Sequence, residues 1–131
     1  MDTVSNPIVT IYSKWKEAVE PVVGKNNTSM ENKQTISTFP YANMRLMGTP
    51  TASSDLNGNE GAIMPSVQID LYTNGNKALS KAYDIDSVSH EAMVSMRFRR
   101  TYGSSLVDNA DNSIKRLTSR YERILGGGDS L

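Results

Sequence analysis

His90 is the chain's one histidine and stands four residues after Asp86, with Asp84 and Glu91 close by. On a helix that spacing puts Asp86 and His90 on one face, as a metal-binding pair would need. A metal site asks for three or four converging ligands and a supporting layer of hydrogen bonds, and two acceptors at helical spacing are ordinary on a solvated helix face. No metal is expected. There is no cysteine, so thiolate chemistry is excluded. A Ser-His-Asp relay would have to run through His90 in mid-helix with distant partners. Neither a Walker-type phosphate loop nor G-x-G-x-x-G occurs, and Gly126-Gly127-Gly128 has no following helix to complete a phosphate site. The expectation is a protein that is not an enzyme and carries no cofactor.

The remaining chemistry is charge. Between Val94 and Leu125 lie Arg97, Arg99, Arg100, Lys115, Arg116, Arg120 and Arg123, against Asp108, Asp111 and Glu122. Such an excess suits DNA phosphates, with strong salt dependence, or an acidic patch on a neighbouring subunit. A simply solvated sheet face is the third reading. Tyr102 and Tyr121 could stack on bases or serve as core and interface residues. The whole chain has a formal net charge of zero, which speaks against a protein that lives on nucleic acid.

These groups need elements to position them. Pro7 sits where a helix would begin, with Ser5 or Asn6 as cap. Ile8, Ile11, Tyr12, Trp15, Ala18 and Val19 then recur at three- and four-residue spacing, and Pro21 is expected to end the helix. Trp15 reads as the anchor of that helix on a sheet. A polar loop covers 24–38, with a short strand near its end as the alternative. A strand is expected from Phe39 to Met47, with Ala42, Met44 and Leu46 alternating against Asn43 and Arg45. The stretch from Gly48 to Gly61 is a long hairpin arm or a loop, with Asn57-Gly58 as its turn. Val67, Ile69 and Leu71 alternate in a strand spanning Pro65 to Thr73. Asn74-Gly75-Asn76 can cap a second helix running to about Met96 through Leu79, Ala82, Ile85, Ala92 and Met96. Arg97 to Leu106 reads as a strand. Ser113 to Leu125 fits strand or helix, and strand is favoured because an Asp- and Asn-rich turn precedes it.

The chain has 131 residues and 37% hydrophobic residues, enough for one modest core. The expected fold is α+β: a small antiparallel or mixed sheet of about four strands with two helices packed on one face. One domain covers 1–125, and 126–131 form a flexible tail. No stretch approaches the ~18 apolar residues of a membrane helix, and the N-terminus reads as no signal peptide. Production in a reducing cytoplasm, with no membrane partner, is expected.

Four segments together resemble the tail terminator, or tail completion, proteins of long-tailed bacteriophages. They are Asn6-Pro7-Ile8-Val9-Thr10-Ile11-Tyr12, Phe39-Pro40-Tyr41-Ala42, Val67-Gln68-Ile69-Asp70-Leu71-Tyr72-Thr73-Asn74, and Met96-Arg97-Phe98-Arg99-Arg100-Thr101-Tyr102 with Ile114-Lys115-Arg116-Leu117-Thr118-Ser119-Arg120-Tyr121. The resemblance covers almost the whole chain and lies in the ordered set. It implies two helices against a sheet and a six-fold ring of identical subunits. The ring ends polymerisation of the tail-tube protein and receives the head-completion or connector protein. It implies residence in the virion, at the head-proximal end of the tail, after synthesis in the host bacterial cytoplasm, and it allows passing contact with DNA. The working parts would be surfaces. The candidates are Asp55, Leu56, Asn57, Gly58, Asn59 and Glu60 of the arm, and Arg97, Arg99, Arg100, Arg116 and Arg120 of the basic hairpin. Another neck protein (a head-closure or head-tail joining subunit) and a small nucleic-acid-binding module are the rival readings.

Overall fold

A computed structural model describes residues 7–30, 38–48, 51–54, 60–107 and 111–126, with backbone alone for 51–54 and 60–62. In chain order the elements are α1 (Ile8–Val23), β1 (Thr28–Ser29), β2 (Tyr41–Gly48), β3 (Thr51–Ser54), β4 (Glu60–Ile63), β5 (Ser66–Asn74), α2 (Ala78–Ser95), β6 (Arg99–Val107), β7 (Ile114–Glu122) and β8 (Leu125–Gly126).

α1 starts where its apolar spacing begins, but its ends differ from the expectation. The first helical bond runs from the Ile11 N–H to the Pro7 carbonyl at 3.0 Å, so Pro7 is the cap residue itself. The expected caps Ser5 and Asn6 lie outside the described residues. Pro21 does not end the helix. Its ring forfeits one donor in the last turn, while the Gly24 N–H still reaches the Glu20 carbonyl at 2.8 Å and buried Val19 and Val23 pin that turn to the core.

α2 begins at Ala78, after Lys77 in left-handed geometry and without a side-chain cap, so Asn76 does not perform the expected capping. Thr73 Oγ1 instead donates to the Ala78 carbonyl at 2.6 Å, tying the helix start to the strand before it. The helix ends in a Schellman motif. The Phe98 N–H bonds the Met93 carbonyl at 2.9 Å and the Arg97 N–H bonds Val94 at 2.8 Å. Met93 and Phe98, both buried, supply the apolar contact that accompanies this motif.

The main sheet has the order β1-β2-β5-β7-β6, with β1 and β2 parallel and the other pairs antiparallel. It is a mixed, five-stranded sheet, one short strand more than expected, and the fold class is α+β. Ile114–Glu122 is a strand, as the Asp- and Asn-rich turn before it favoured. Asp111 shapes the turn before it, accepting from the Ser113 N–H at 2.9 Å and from its hydroxyl at 2.7 Å.

Both helices pack on one face. Ile11, Trp15, Val19 and Val23 of α1 and Ala82, Ile85, Ala92 and Met93 of α2 meet Ala42, Met44, Val67, Ile69, Leu71, Leu117 and Tyr121 of the sheet. Full burial of such side chains contributes roughly 1.5–3 kcal/mol each. Trp15 satisfies its one polar group within that core, donating from Nε1 to Ser89 Oγ at 2.8 Å.

Within the stretch from Gly48 to Gly61, the described residues form two paired strands, called the arm below. β3 and β4 pair antiparallel, and β8 adds to β4 with Ala62 opposite Gly126 and Ile63 opposite Leu125. Gly126, expected to open the tail, is therefore paired; 127–131 lie outside the described residues. The small sheet order β3-β4-β8 repeats the main-sheet order β2-β5-β7, because each arm strand continues or precedes its main-sheet counterpart after a short break. At the break, Pro65 has no N–H to give the ladder, and its carbonyl accepts from the Arg123 N–H at 3.2 Å.

Candidate functional site

The basic residues of the C-terminal hairpin do not share one face. Alternation along β6 and β7 sends them to both sides of the sheet, and each meets different company.

Arg100 turns under α2. Its Nη2 donates to both carboxylate oxygens of Asp86, at 2.9 and 3.1 Å, and its Nε donates to the Tyr121 hydroxyl at 3.0 Å. His90 Nδ1 lies 3.0 Å from the same hydroxyl. Both residues that the helical spacing offered to a metal are thus engaged by an arginine and a tyrosine. Among the described residues, no group of three or more His, Asp or Glu converges. Burial pushes the Tyr121 phenol above its ordinary value of 10.0, with the Arg100 hydrogen bond opposing.

Arg116 and Arg120 lie on the opposite face. Asp70 accepts there from Arg116 Nε at 3.2 Å, Thr118 Oγ1 at 2.5 Å and Gln68 Nε2 at 3.1 Å. Arg120 Nε donates to Gln68 Oε1 at 3.0 Å, and its guanidinium lies 5.1 Å from the centre of the Tyr102 ring. Arg116 lies similarly over Tyr72, at 5.7 Å. Asp70 is 1% exposed and Gln68 3%, although neither helix packs on this side. Burial, then the charge of Asp70, raises the Tyr72 phenol above 10.0. Arg45 joins the same face through its pairing with Gln68, and its Nε is buried without a hydrogen-bond partner. The order of strands creates this network: Asp70 and Arg116 are 46 residues apart, and no local signal announces it.

Arg97 and Arg99 remain at the surface, beside the base of the arm. With Met64, Glu122, Arg123 and Ile124 they line an open cleft of about 410 Å³. Arg99 is paired with Glu122 at 2.7 Å while its side chain stays 76% exposed. Arg123 is buried and donates from Nη1 to the Met96 carbonyl at 2.8 Å, closing the end of α2. At the other end of the domain, Val22, Pro40, Lys81, Asp84, Ile85 and Val88 line an open apolar groove of about 330 Å³.

Of the arm candidates, Glu60 opens β4 opposite Ser54. Asp55, Leu56, Asn57, Gly58 and Asn59 lie outside the described residues. No helix of the described residues is long and apolar enough to cross a membrane.

No family model and no curated protein matches the sequence. A solved structure does match in three dimensions. It is a chain from the virion of a native gene transfer agent particle, with a TM-score of 0.63 over 88% of this chain and 91% of that one. The two chains share a fold. Sequence identity between them is 13%, so the likeness lies in the path of the backbone and not in matched side chains.

Proposed function

We propose that this chain is a structural virion protein that forms a ring at the head-proximal end of a phage tail tube, ending tube growth and receiving the head connector. The observation that carries the reading is the near-complete overlap of this fold with a virion chain, 88% of one on 91% of the other. The ordered resemblance to tail terminator proteins supports the finer assignment. So does the use of the polar groups. Asp86, His90, Arg100 and Tyr121 are spent on each other, as are Asp70, Arg116, Gln68 and Arg120. What is left outward among the described residues includes Arg97, Arg99 and exposed apolar side chains such as Leu106 and Ile124. The arm with Asp55 to Glu60 and the basic hairpin would meet the tail-tube protein, the connector protein and neighbouring copies.

The deciding experiment is electron microscopy of phage lysates with this gene disrupted. Tails of uncontrolled length, detached from filled heads, are expected. Tails of normal length that fail to join heads would move the protein to the head-closure side of the neck. Normal infectious particles would overturn the reading and favour the nucleic-acid module.

A further inference from the structure

The cleft at the base of the arm contains a residue that breaks a local rule. Arg97 occupies the left-handed position of the Schellman motif, φ +65°, where glycine fits without strain. Its guanidinium makes no hydrogen bond or ion pair with the described residues, and the residue is exposed. Next to it stand Arg99 and Glu122, and Ile124 projects with 63% of its surface exposed. This end of the molecule is an apolar tip ringed by two outward arginines and one carboxylate.

The groove at the far end is apolar too, and carries one charge of each sign. Val22, Pro40, Ile85 and Val88 form an apolar floor, with Asp84 and Lys81 exposed at its rim. α2 separates the two places: from Asp84 to Arg97 the chain advances roughly 20 Å along the helix axis. Charge is also divided along the chain. Of its 14 basic and 14 acidic residues, seven and three fall in 94–125, leaving seven and eleven elsewhere.

We infer that these two surfaces are the halves of a head-to-tail contact between copies of this chain. Ile124 of one copy seats in the Val22–Pro40–Ile85–Val88 groove of the next. Arg97 and Arg99 face Asp84, and Glu122 faces Lys81. A contact between unlike patches at opposite ends leaves each copy one free half, so it propagates into a ring or a filament. The inference rests on the self-association contained in the proposed function, and not on where in a particle the ring would sit.

The chain has no cysteine, so introduced thiols meet no native thiol. Full-length Ile124→Cys and Val88→Cys proteins are mixed under mild oxidation, and each is also oxidised alone, with sedimentation velocity run in parallel. The expected result is a disulfide between unlike variants, at least tenfold more abundant than between like ones, and weakened by salt. Arg97→Gly, placed in both partners, should cut that cross-link at least tenfold while leaving the melting temperature unchanged or higher, because glycine suits the left-handed backbone there. Cross-links mainly between like variants would mean a symmetric contact and overturn the proposal. Assembled protein without the mixed cross-link would overturn this contact and leave ring formation standing. Monomers without any cross-link would overturn it too, and tail length in the gene-disrupted lysates would then judge the ring reading separately.

Discussion

Ile69 and Asp70 are neighbours in β5, and each is 1% exposed. Ile69 is shielded by the helices, through a layer that includes Trp15 and Met93. Asp70 is shielded by its own sheet, through Arg116, Thr118 and Gln68 reaching across from the adjoining positions. One face is closed by a second layer of structure, the other by side chains lying down on it. The two should fail differently. An apolar layer loses stability in proportion to the volume removed, and neighbours relax into part of the gap. A polar layer fails when one partner leaves, because the donors that remain are already desolvated.

The largest effect is expected on the helix-covered face. Trp15→Ala should cost about 3–5 kcal/mol, read from the urea midpoint. A loss under about 1 kcal/mol would mean that the helix layer is not what stabilises the sheet. Asp70→Ala should cost about 2–4 kcal/mol by leaving Arg116 and Thr118 without their acceptor. If this variant were as stable as the parent, the open face would be surface decoration and the comparison would collapse. Gly103→Ala tests the junction of β6 with β7. Its φ is +92°, and a Cβ there would stand 2.2 Å from the Thr118 carbonyl oxygen. A loss of about 1–3 kcal/mol is expected, with hydrogen exchange accelerated first in β6.

A smaller effect, common to both faces, is expected at alkaline pH. Tyr121 and Tyr72 each hold their proton more tightly in the folded protein than the ordinary value of 10.0, and burial is the main cause for both. Their contribution is therefore complete below pH 10 and is lost as pH rises through the raised folded values. Tyr121→Phe and Tyr72→Phe should each flatten the alkaline fall in stability. A curve unchanged by both would place the loss elsewhere. The smallest effect is expected from Arg99→Ala, whose ion pair with Glu122 is largely in solvent, at no more than about 0.5 kcal/mol. Its consequence should appear in association and not in melting temperature.

The sequence was legible wherever a pattern is local. Val67, Ile69 and Leu71 alternate, and they lie on the core face of a strand. Trp15 stands in a stripe of helical period, and it is fully buried. Pro21 and Asn76 were misread because proline and asparagine act by position within a turn, and which turn they occupy is fixed by the packing of Val23 and by Thr73. The basic hairpin was legible as charge but not as partnership. Arg99 and Arg100 are adjacent, so alternation already separates them; that Arg100 meets Asp86 follows from where α2 crosses the sheet. The union of Asp70 with Arg116 needs the register of β5 against β7, which no window of sequence contains. Arg97 gave no sign of its left-handed backbone, since glycine is the residue that normally announces one.

The arm grows out of the sheet along its own strands: β3 follows β2, β4 leads into β5 and β8 follows β7, with Arg123 bonded across the break to Pro65 and Met96. Whatever the small sheet touches is therefore linked by direct chain connection to the three strands that carry the core, with no separate hinge element between them among the described residues.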